Sequence, residues 1–307
     1  MDKKVLLRQT SCAICGRNDH AKEIYPSNFE PAALNRSVFS ARRLPDGIRY
    51  RIVKCRDCGL VRSDPVAEDG LTAQLYTESS FDYDAELKNI IATYGRYLRH
   101  LEKFGVKKGS LLEIGCGNGF LLEEALAQGY VCVHGVEPSQ EAVSRANDRV
   151  RAKIVNGLMR PGLFKENYFD VICMFQVLDH ISDPGALLKE CYRILKPKGL
   201  VLCLNHNVEA FSARLLKSRS PIIDIEHTYL FSPRTQRRIF QKNNFTVRQV
   251  AAAYNRYSLL YFFRLLPLPA PAKNKLLGLL QKSGLAGVNL ILPLGNMFIV
   301  AEKPSKG

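Results

Sequence analysis

No stretch of this chain is apolar for long enough to span a bilayer. Its longest run without a charged residue, Gly284 to Val300, is broken by glycines, two asparagines and a proline, whereas a spanning helix needs about 20 mainly apolar residues. No apolar segment follows the basic start Met1-Asp2-Lys3-Lys4, so a secretory signal is not expected and a cytoplasmic location is the default. Internal repeats and low-complexity tracts are also missing, which excludes repeat and fibrous architectures. Acidic residues are scarce: 29 Asp and Glu face 44 Lys and Arg, a net charge of +15. The shortfall is local. Tyr76 to Asn207 carries 16 of each sign, Met1 to Leu75 carries 13 basic against 9 acidic, and Val208 to the end carries 15 against 4. A basic C-terminal part over a neutral core points to an anionic substrate or surface, or to nothing more than a solvated basic face.

What is present begins with a core. A hydrophobic fraction of 46% over 307 residues supports one large domain or two smaller ones. Of the nine cysteines, Cys132, Cys173 and Cys203 sit in apolar strand-like runs, Cys191 in a helical pattern and Cys116 in a glycine loop, where free cysteine acts as a small hydrophobe. The other four form two C-x-x-C-G turns, Cys12-Ala13-Ile14-Cys15-Gly16 and Cys55-Arg56-Asp57-Cys58-Gly59. Two such knuckles offer four thiolates to one tetrahedral structural Zn2+, with no open position for catalysis. Ile48 to Lys54 alternates like a strand leading into the second knuckle, as in a zinc ribbon, and a loop or small helix between Pro26 and Arg43 must fill the gap. Unrelated reduced pairs or a redox dithiol are the alternative.

The strongest signal is Leu111-Leu112-Glu113-Ile114-Gly115-Cys116-Gly117-Asn118-Gly119-Phe120. Apolar residues lead into an acid, glycines fall at alternate positions, and a helical pattern follows. A strand here delivers the backbone into a tight turn whose glycines allow close approach, with a helix N-terminus behind it. The spacing is tighter than the dinucleotide fingerprint, and the leading acid suits a ligand with a cationic end. One βα unit later, the apolar strand Val131 to Val136 closes on Glu137, then Pro138. A carboxylate there can accept both hydroxyls of a ribose, or it can simply favour a helix N-terminus.

Strands then alternate with helices. Strands are expected at Ser110–Ile114, Tyr130–Val136, Ala152–Val155, Phe169–Phe175, Leu200–Leu204, Phe245–Ala251 and Asn296–Glu302. Helices are expected at 120–128, from Ser139 to about Asn147, at 184–195 and from Pro233 to about Asn243. Residues 71–104 read as helical connectors around the segment Phe81-Asp82-Tyr83-Asp84.

The run Glu-x-Gly-x-Gly-x-Gly after a strand resembles motif I of the class I S-adenosylmethionine-dependent methyltransferases, and later segments fit that family from about Val106 to Glu302. The resemblance implies an α/β fold: a Rossmann-like, seven-stranded, mostly parallel doubly wound sheet, here preceded by the zinc-ribbon-like module. Implied boundaries are 1–75 for that module, 76–106 for the connector, 107–253 with 294–307 for the cofactor-binding domain, and 254–293 for a basic insertion. The implied cofactor is S-adenosyl-L-methionine. Gly115, Cys116, Gly117 and Gly119 form its loop, with the Gly115 backbone at the methionine amino group and Glu113 supporting the turn. Glu137 and Pro138 take the ribose side. Asn156, Gly157 and Leu158 flank adenine, although many members carry an acid where this chain has Asn156. Phe175 and Gln176, in Tyr168 to Pro184, resemble the motif IV region and would line the methyl donor.

Methyl transfer needs in-line placement and, for hydroxyl or acidic C–H acceptors, a base. His180, His206 and His227 all approach the carboxyl ends of the strands. His227 is the first choice, because Glu226-His227-Thr228-Tyr229-Leu230-Phe231-Ser232 resembles a segment covering the acceptor in small-molecule methyltransferases; His180 is second. Leu259–Leu266 and Lys273–Lys282 read as short amphipathic helices, a lid or, over 255–283, a peripheral contact at the inner membrane face. The expected function is methylation of a small-molecule, sugar or lipid-linked glycan acceptor. RNA methylation is disfavoured by the lack of an Asn-Pro-Pro-Tyr-like motif and of a catalytic cysteine motif, and a non-catalytic scaffold by the intact glycines and Glu137. The sequence carries no signal of oligomeric state.

Overall fold

The computed structural model describes residues 7–30, 47–78, 86–266 and 268–305. Most of the Pro26 to Arg43 filler and all of Phe81-Asp82-Tyr83-Asp84 lie outside them. The N-terminal module contains β1 (Leu7–Arg8), β2 (Ala21–Tyr25), β3 (Ile52–Cys55), β4 (Val61–Ser63) and β5 (Val66–Ala67), followed by α1 (Asp69–Thr77) and α2 (Leu87–His100). The main domain runs β6 (Ser110–Ile114), α3 (Phe120–Ala127), β7 (Cys132–Glu137), α4 (Gln140–Ser144), α5 (Asp148–Arg151), β8 (Ile154–Asn156), β9 (Phe169–Phe175), α6 (Pro184–Ile194) and β10 (Leu195–His206). It continues through α7 (Phe211–Leu216), β11 (Tyr229–Leu230), α8 (Pro233–Lys242), β12 (Thr246–Ser258), α9 (Leu259–Leu265), α10 (Ala270–Lys282) and β13 (Asn289–Glu302).

Seven strands form one sheet in the order β12-β13-β10-β9-β6-β7-β8. β13 alone runs antiparallel to its neighbours. This is the mostly parallel, doubly wound sheet the sequence implied. Both faces are covered, so the central strands are mostly apolar and buried, and the two-residue period sorts them into two cores. Val201 and Cys203 of β10 pack on one face with Leu188 of α6 and Phe240 of α8. Leu200, Leu202 and Leu204 pack on the other with Leu98 of α2 and Leu121 of α3.

Local chemistry sets the helix starts. Asp183 caps α6 by accepting from the Ala186 N–H at 2.9 Å, with Pro184 at the first helical position. Ser232 and Thr235 form a reciprocal capping box on α8. The helix expected from Ser139 to about Asn147 stops at Ser144, and a second short helix follows from Asp148. Ser139 caps α4, and Asn147 caps α5 by accepting from Arg149 N–H, since an asparagine bonding its own backbone breaks the run.

Three elements depart usefully from expectation. β10 extends to His206, which pairs with Asn296 of β13. β12 and β13 pair on to Ser258↔Asn289, so a long hairpin projects into the stretch expected to be insertion, and α9 and α10 cap its end. β11 leaves the main sheet altogether and pairs with β4 (Tyr229↔Arg62, Leu230↔Val61) in the order β11-β4-β3-β2. The N-terminal module is therefore stitched to the segment that carries His227. Among the described residues no helix is long and apolar enough to cross a membrane.

Candidate active site

A cavity of about 650 Å3 opens at the carboxyl ends of the parallel strands, roofed by α1, α2, the β12–β13 hairpin and α9. Open α/β sheets bind ligands at this end. Twelve of the expected residues line it: Glu113, Gly115, Cys116, Gly117, Glu137, Pro138, Gly157, Leu158, Phe175, Gln176, His180 and His227.

The β6–α3 turn is built tightly. The Gly115 and Cys116 N–H groups donate to the Val136 carbonyl at 2.8 and 3.3 Å. Gly115 has φ +73°, and a Cβ there would sit 2.5 Å from Val177 Cγ2, so only glycine fits. Glu137 accepts from Gly117 N–H through Oε2 and from Ser139 N–H through Oε1, both at 2.8 Å. Burial pushes its pKa up against those two bonds. Each oxygen keeps a lone pair for a further donor. Glu113 is buried beside Gly115, and its Oε2 accepts no hydrogen bond among the described residues. Burial, then the charge of Glu137, raises its carboxyl well above the ordinary range, which leaves a buried acid facing the cavity without a cation.

Two expected residues fall outside the cavity lining. Asn156 turns its amide to the Glu137 and Pro138 carbonyls at 2.9 and 3.2 Å, so it ties β8 to β7 rather than flanking a ligand. Gly119 caps α3 and packs against Val150 and Ile154. Cys116 is buried against the loop, its thiol pKa raised by burial and then by Glu113.

The other half of the cavity is rich in imidazole. His180 Nδ1 lies 2.9 Å from the Tyr76 hydroxyl. His227 Nδ1 lies 3.0 Å from the Ile222 carbonyl oxygen; a carbonyl only accepts, so Nδ1 carries the proton and Nε2 the lone pair. Burial, followed by His206 and His180, holds the His227 pKa well below its usual value. Burial also lowers His180, against the pull of Asp179.

Asp179 is fully buried. Its Oδ2 sits 2.6 Å from His206 Nδ1, and its backbone carbonyl accepts from Thr228 and Tyr229 N–H at 2.9 and 3.0 Å. Burial works against its charge, but His180 and the His206 hydrogen bond outweigh it, so Asp179 stays ionised. The roof adds Tyr94, stacked on Phe175 with centroids 4.2 Å apart, and Tyr261, Phe262 and Leu265 of α9.

Charge around the cavity runs opposite to that of the whole chain. Asp69, Glu113, Glu137, Asp183, Glu190, Asp224 and Glu226 line it, against Arg160 and Arg256. The basic excess after Asn207 therefore lies mostly elsewhere, and the expectation of an anionic substrate finds no basic pocket here.

The four knuckle cysteines converge outside the cavity. Their sulfurs lie within 4.8 Å of one another, with Cys12–Cys58 at 3.2 Å and Cys15–Cys55 at 3.6 Å. Ligands on tetrahedral zinc with bonds of about 2.3 Å stand roughly 3.8 Å apart, so a small expansion makes a metal site. Gly16 and Gly59 both take φ +81° and donate to the Cys12 and Cys55 carbonyls, the same turn used twice. Burial raises the Cys55 thiol, but the Cys58 and Asp57 N–H groups outweigh it and bring its pKa down to about 7.

Residues 83–250 match the family described as methyltransferase domain. An uncharacterized methyltransferase of Schizosaccharomyces pombe is 33% identical over 147 residues, covering 43% of this chain and 52% of that protein. A ubiquinone biosynthesis O-methyltransferase of Pseudomonas fluorescens is 30% identical over 118 residues, 36% of this chain and 50% of that protein. The chain thus spans about half the length of these curated relatives. Among solved structures, a chain from the complex of the Haloferax volcanii Trm112 methyltransferase activator with a methyltransferase superposes with a TM-score of 0.50 at 19% identity. It covers 72% of this chain and 95% of its own length, a likeness of fold.

Proposed function

We propose that this chain, which belongs to the methyltransferase domain family, transfers the methyl group of S-adenosylmethionine to a small-molecule acceptor. The observation that carries the reading is that one cavity joins two complementary halves: the Glu113–Gly117 turn with Glu137, and the imidazole cluster around His227. In this reading the methionine amino group sits at Gly115 and restores the charge of Glu113. Glu137 takes the ribose hydroxyls with its spare lone pairs, Gly157 and Leu158 flank adenine, and Phe175 and Gln176 face the sulfonium.

The acceptor enters between the histidines and α9. A sulfonium methyl is already activated, so the protein's task is in-line placement, exclusion of water and activation of the acceptor atom. His227 supplies the activating imidazole, neutral and with its Nε2 lone pair available; His180, held by Tyr76, stands behind it. The lining carboxylates outside the cofactor half favour an uncharged or cationic acceptor over a polyanion such as RNA. The apolar face of α9 favours one with a hydrophobic body, and supports the lid role for the insertion. The relative named for O-methylation in ubiquinone biosynthesis supports an oxygen atom as acceptor, and a sugar or lipid-linked glycan remains within this class. The Cys12, Cys15, Cys55, Cys58 cluster would hold one structural Zn2+.

The test is S-adenosylmethionine binding by calorimetry together with methyl transfer to a panel of hydroxylated small molecules. His227→Ala should lower turnover by at least about 100-fold, within the range of general-base losses, while cofactor affinity stays within about twofold. Unchanged turnover would remove His227 from the reaction.

A further inference from the structure

We infer that Asp179, His206 and His227 form a binding site for one divalent metal ion at the inner wall of the acceptor chamber. One ligand atom from each lies within 4.8 Å of the other two. Nitrogen and oxygen ligands stand about 2.1 Å from such an ion, which sets neighbouring ligand atoms roughly 3.0 to 3.6 Å apart, so side-chain shifts on the order of 1 to 2 Å close the site.

Three further features fit a cation. Asp179 Oδ1 is buried and accepts no hydrogen bond among the described residues; His180 Nε2 lies 3.7 Å from it. An ionised carboxylate oxygen without a partner in a dry site is costly. Second, the His227 Nδ1–H to Ile222 carbonyl bond is the arrangement that fixes Nε2 as the ligating atom in metal sites. Third, the proton now shared by His206 Nδ1 and Asp179 Oδ2 at 2.6 Å is the one that an ion would displace.

The three ligands come from distant parts of the chain, but backbone bonds hold them. Asp179 follows β9, His206 ends β10 in register with Asn296, and the His227 segment is tied to the Asp179 carbonyl through Thr228 and Tyr229. The donor set is two imidazoles and one carboxylate, and both histidines border the cavity. Coordination positions therefore remain open toward the acceptor, unlike the closed all-thiolate cluster. The surrounding carboxylates add a field that favours a dication.

This inference rests on the methyl-transfer reading and refines how His227 serves it, by holding the ion that activates the acceptor. Asp179, His206 and His227 would hold the ion, which would polarise the acceptor hydroxyl, and the hydroxyl proton would pass to His180. The oxygen lone pair then forms the C–O bond as the S–C bond breaks, leaving a methyl ether and a neutral thioether.

The experiment uses the full chain with its cysteine cluster loaded with zinc, stripped of weaker metal by brief chelation, then titrated with Co2+. Bound metal is counted by mass spectrometry, and the visible spectrum shows whether sulfur ligates. Wild type should take up one Co2+ per chain with the weak bands of nitrogen and oxygen ligands and no sulfur charge-transfer band. Asp179→Asn and His206→Ala should each weaken that uptake at least about tenfold, with S-adenosylmethionine affinity unchanged in both. No second equivalent in wild type, or equal uptake by wild type and both variants, overturns the site. Cofactor binding measured on the same samples separates the two readings. Intact cofactor affinity without Co2+ uptake leaves His227 as a direct proton acceptor, and lost cofactor binding in wild type strikes the methyl-transfer reading itself.

Discussion

Glu113 shows how a residue's environment can point to the charge of the group it suits. Burial and Glu137 raise its carboxyl pKa in the folded chain, so the folded state holds a proton that the unfolded chain gives up. Cofactor-free stability should therefore fall as pH climbs from the ordinary carboxylate range toward that raised value. A cationic amino group placed beside it favours the charged form and releases the proton. S-Adenosylmethionine affinity should accordingly rise as pH climbs from the ordinary carboxylate range toward that raised value, with proton release visible in calorimetry as a dependence of heat on buffer. Glu113→Gln should weaken binding by about tenfold, the scale of one hydrogen bond to a charged group, and flatten that pH dependence. The acid and glycines were legible as sequence because the turn is local. Asp179, His206 and His227 were less so, because residues in separate segments meet only after the sheet has formed.

Among elements, the strands buried on both faces were legible. Phe169–Phe175 matches β9 end to end, because seven buried residues in a row leave few alternatives. β11 was not legible, since two residues carry no periodicity, and its partner Val61–Arg62 lies in another module. Nor was the full length of β12 and β13, whose outer halves alternate in burial while the residue types do not: Tyr254 is exposed, Asn255 is buried, and Leu290, Ile291 and Leu292 are apolar in a row. α8 is the clearest test of local chemistry: Thr235 N–H donates to Ser232 Oγ, and Ser232 N–H donates to Thr235 Oγ1 at 2.8 Å. Ser232→Ala should cost about 1 kcal/mol in urea unfolding, with little effect on cofactor affinity, because no residue of α8 lines the cavity.

At the scale of the molecule, the cysteine cluster and the main domain share one core. Cys12, Cys55, Cys58 and Leu60 pack in the same cluster as Tyr229, Phe231 and Phe240, and the Tyr229 hydroxyl donates to the Ser11 carbonyl at 2.9 Å. Removing the proposed zinc from the cluster should therefore loosen the segment that carries His227, not the module alone. Strong chelation, or Cys58→Ser, should lower the melting temperature by several degrees or more in calorimetry and reduce turnover, although no cysteine of the cluster borders the cavity. Retained melting behaviour after complete zinc removal would show that the four thiols are structural without metal.

The most direct measurement is a calorimetric titration of S-adenosylmethionine into the wild-type chain and into Glu137→Ala. The account predicts one site per chain in the wild type, and an affinity at least about tenfold weaker once the carboxylate beside Gly117 and Ser139 is gone. Absence of binding to the wild type, or equal affinity in both proteins, would contradict it.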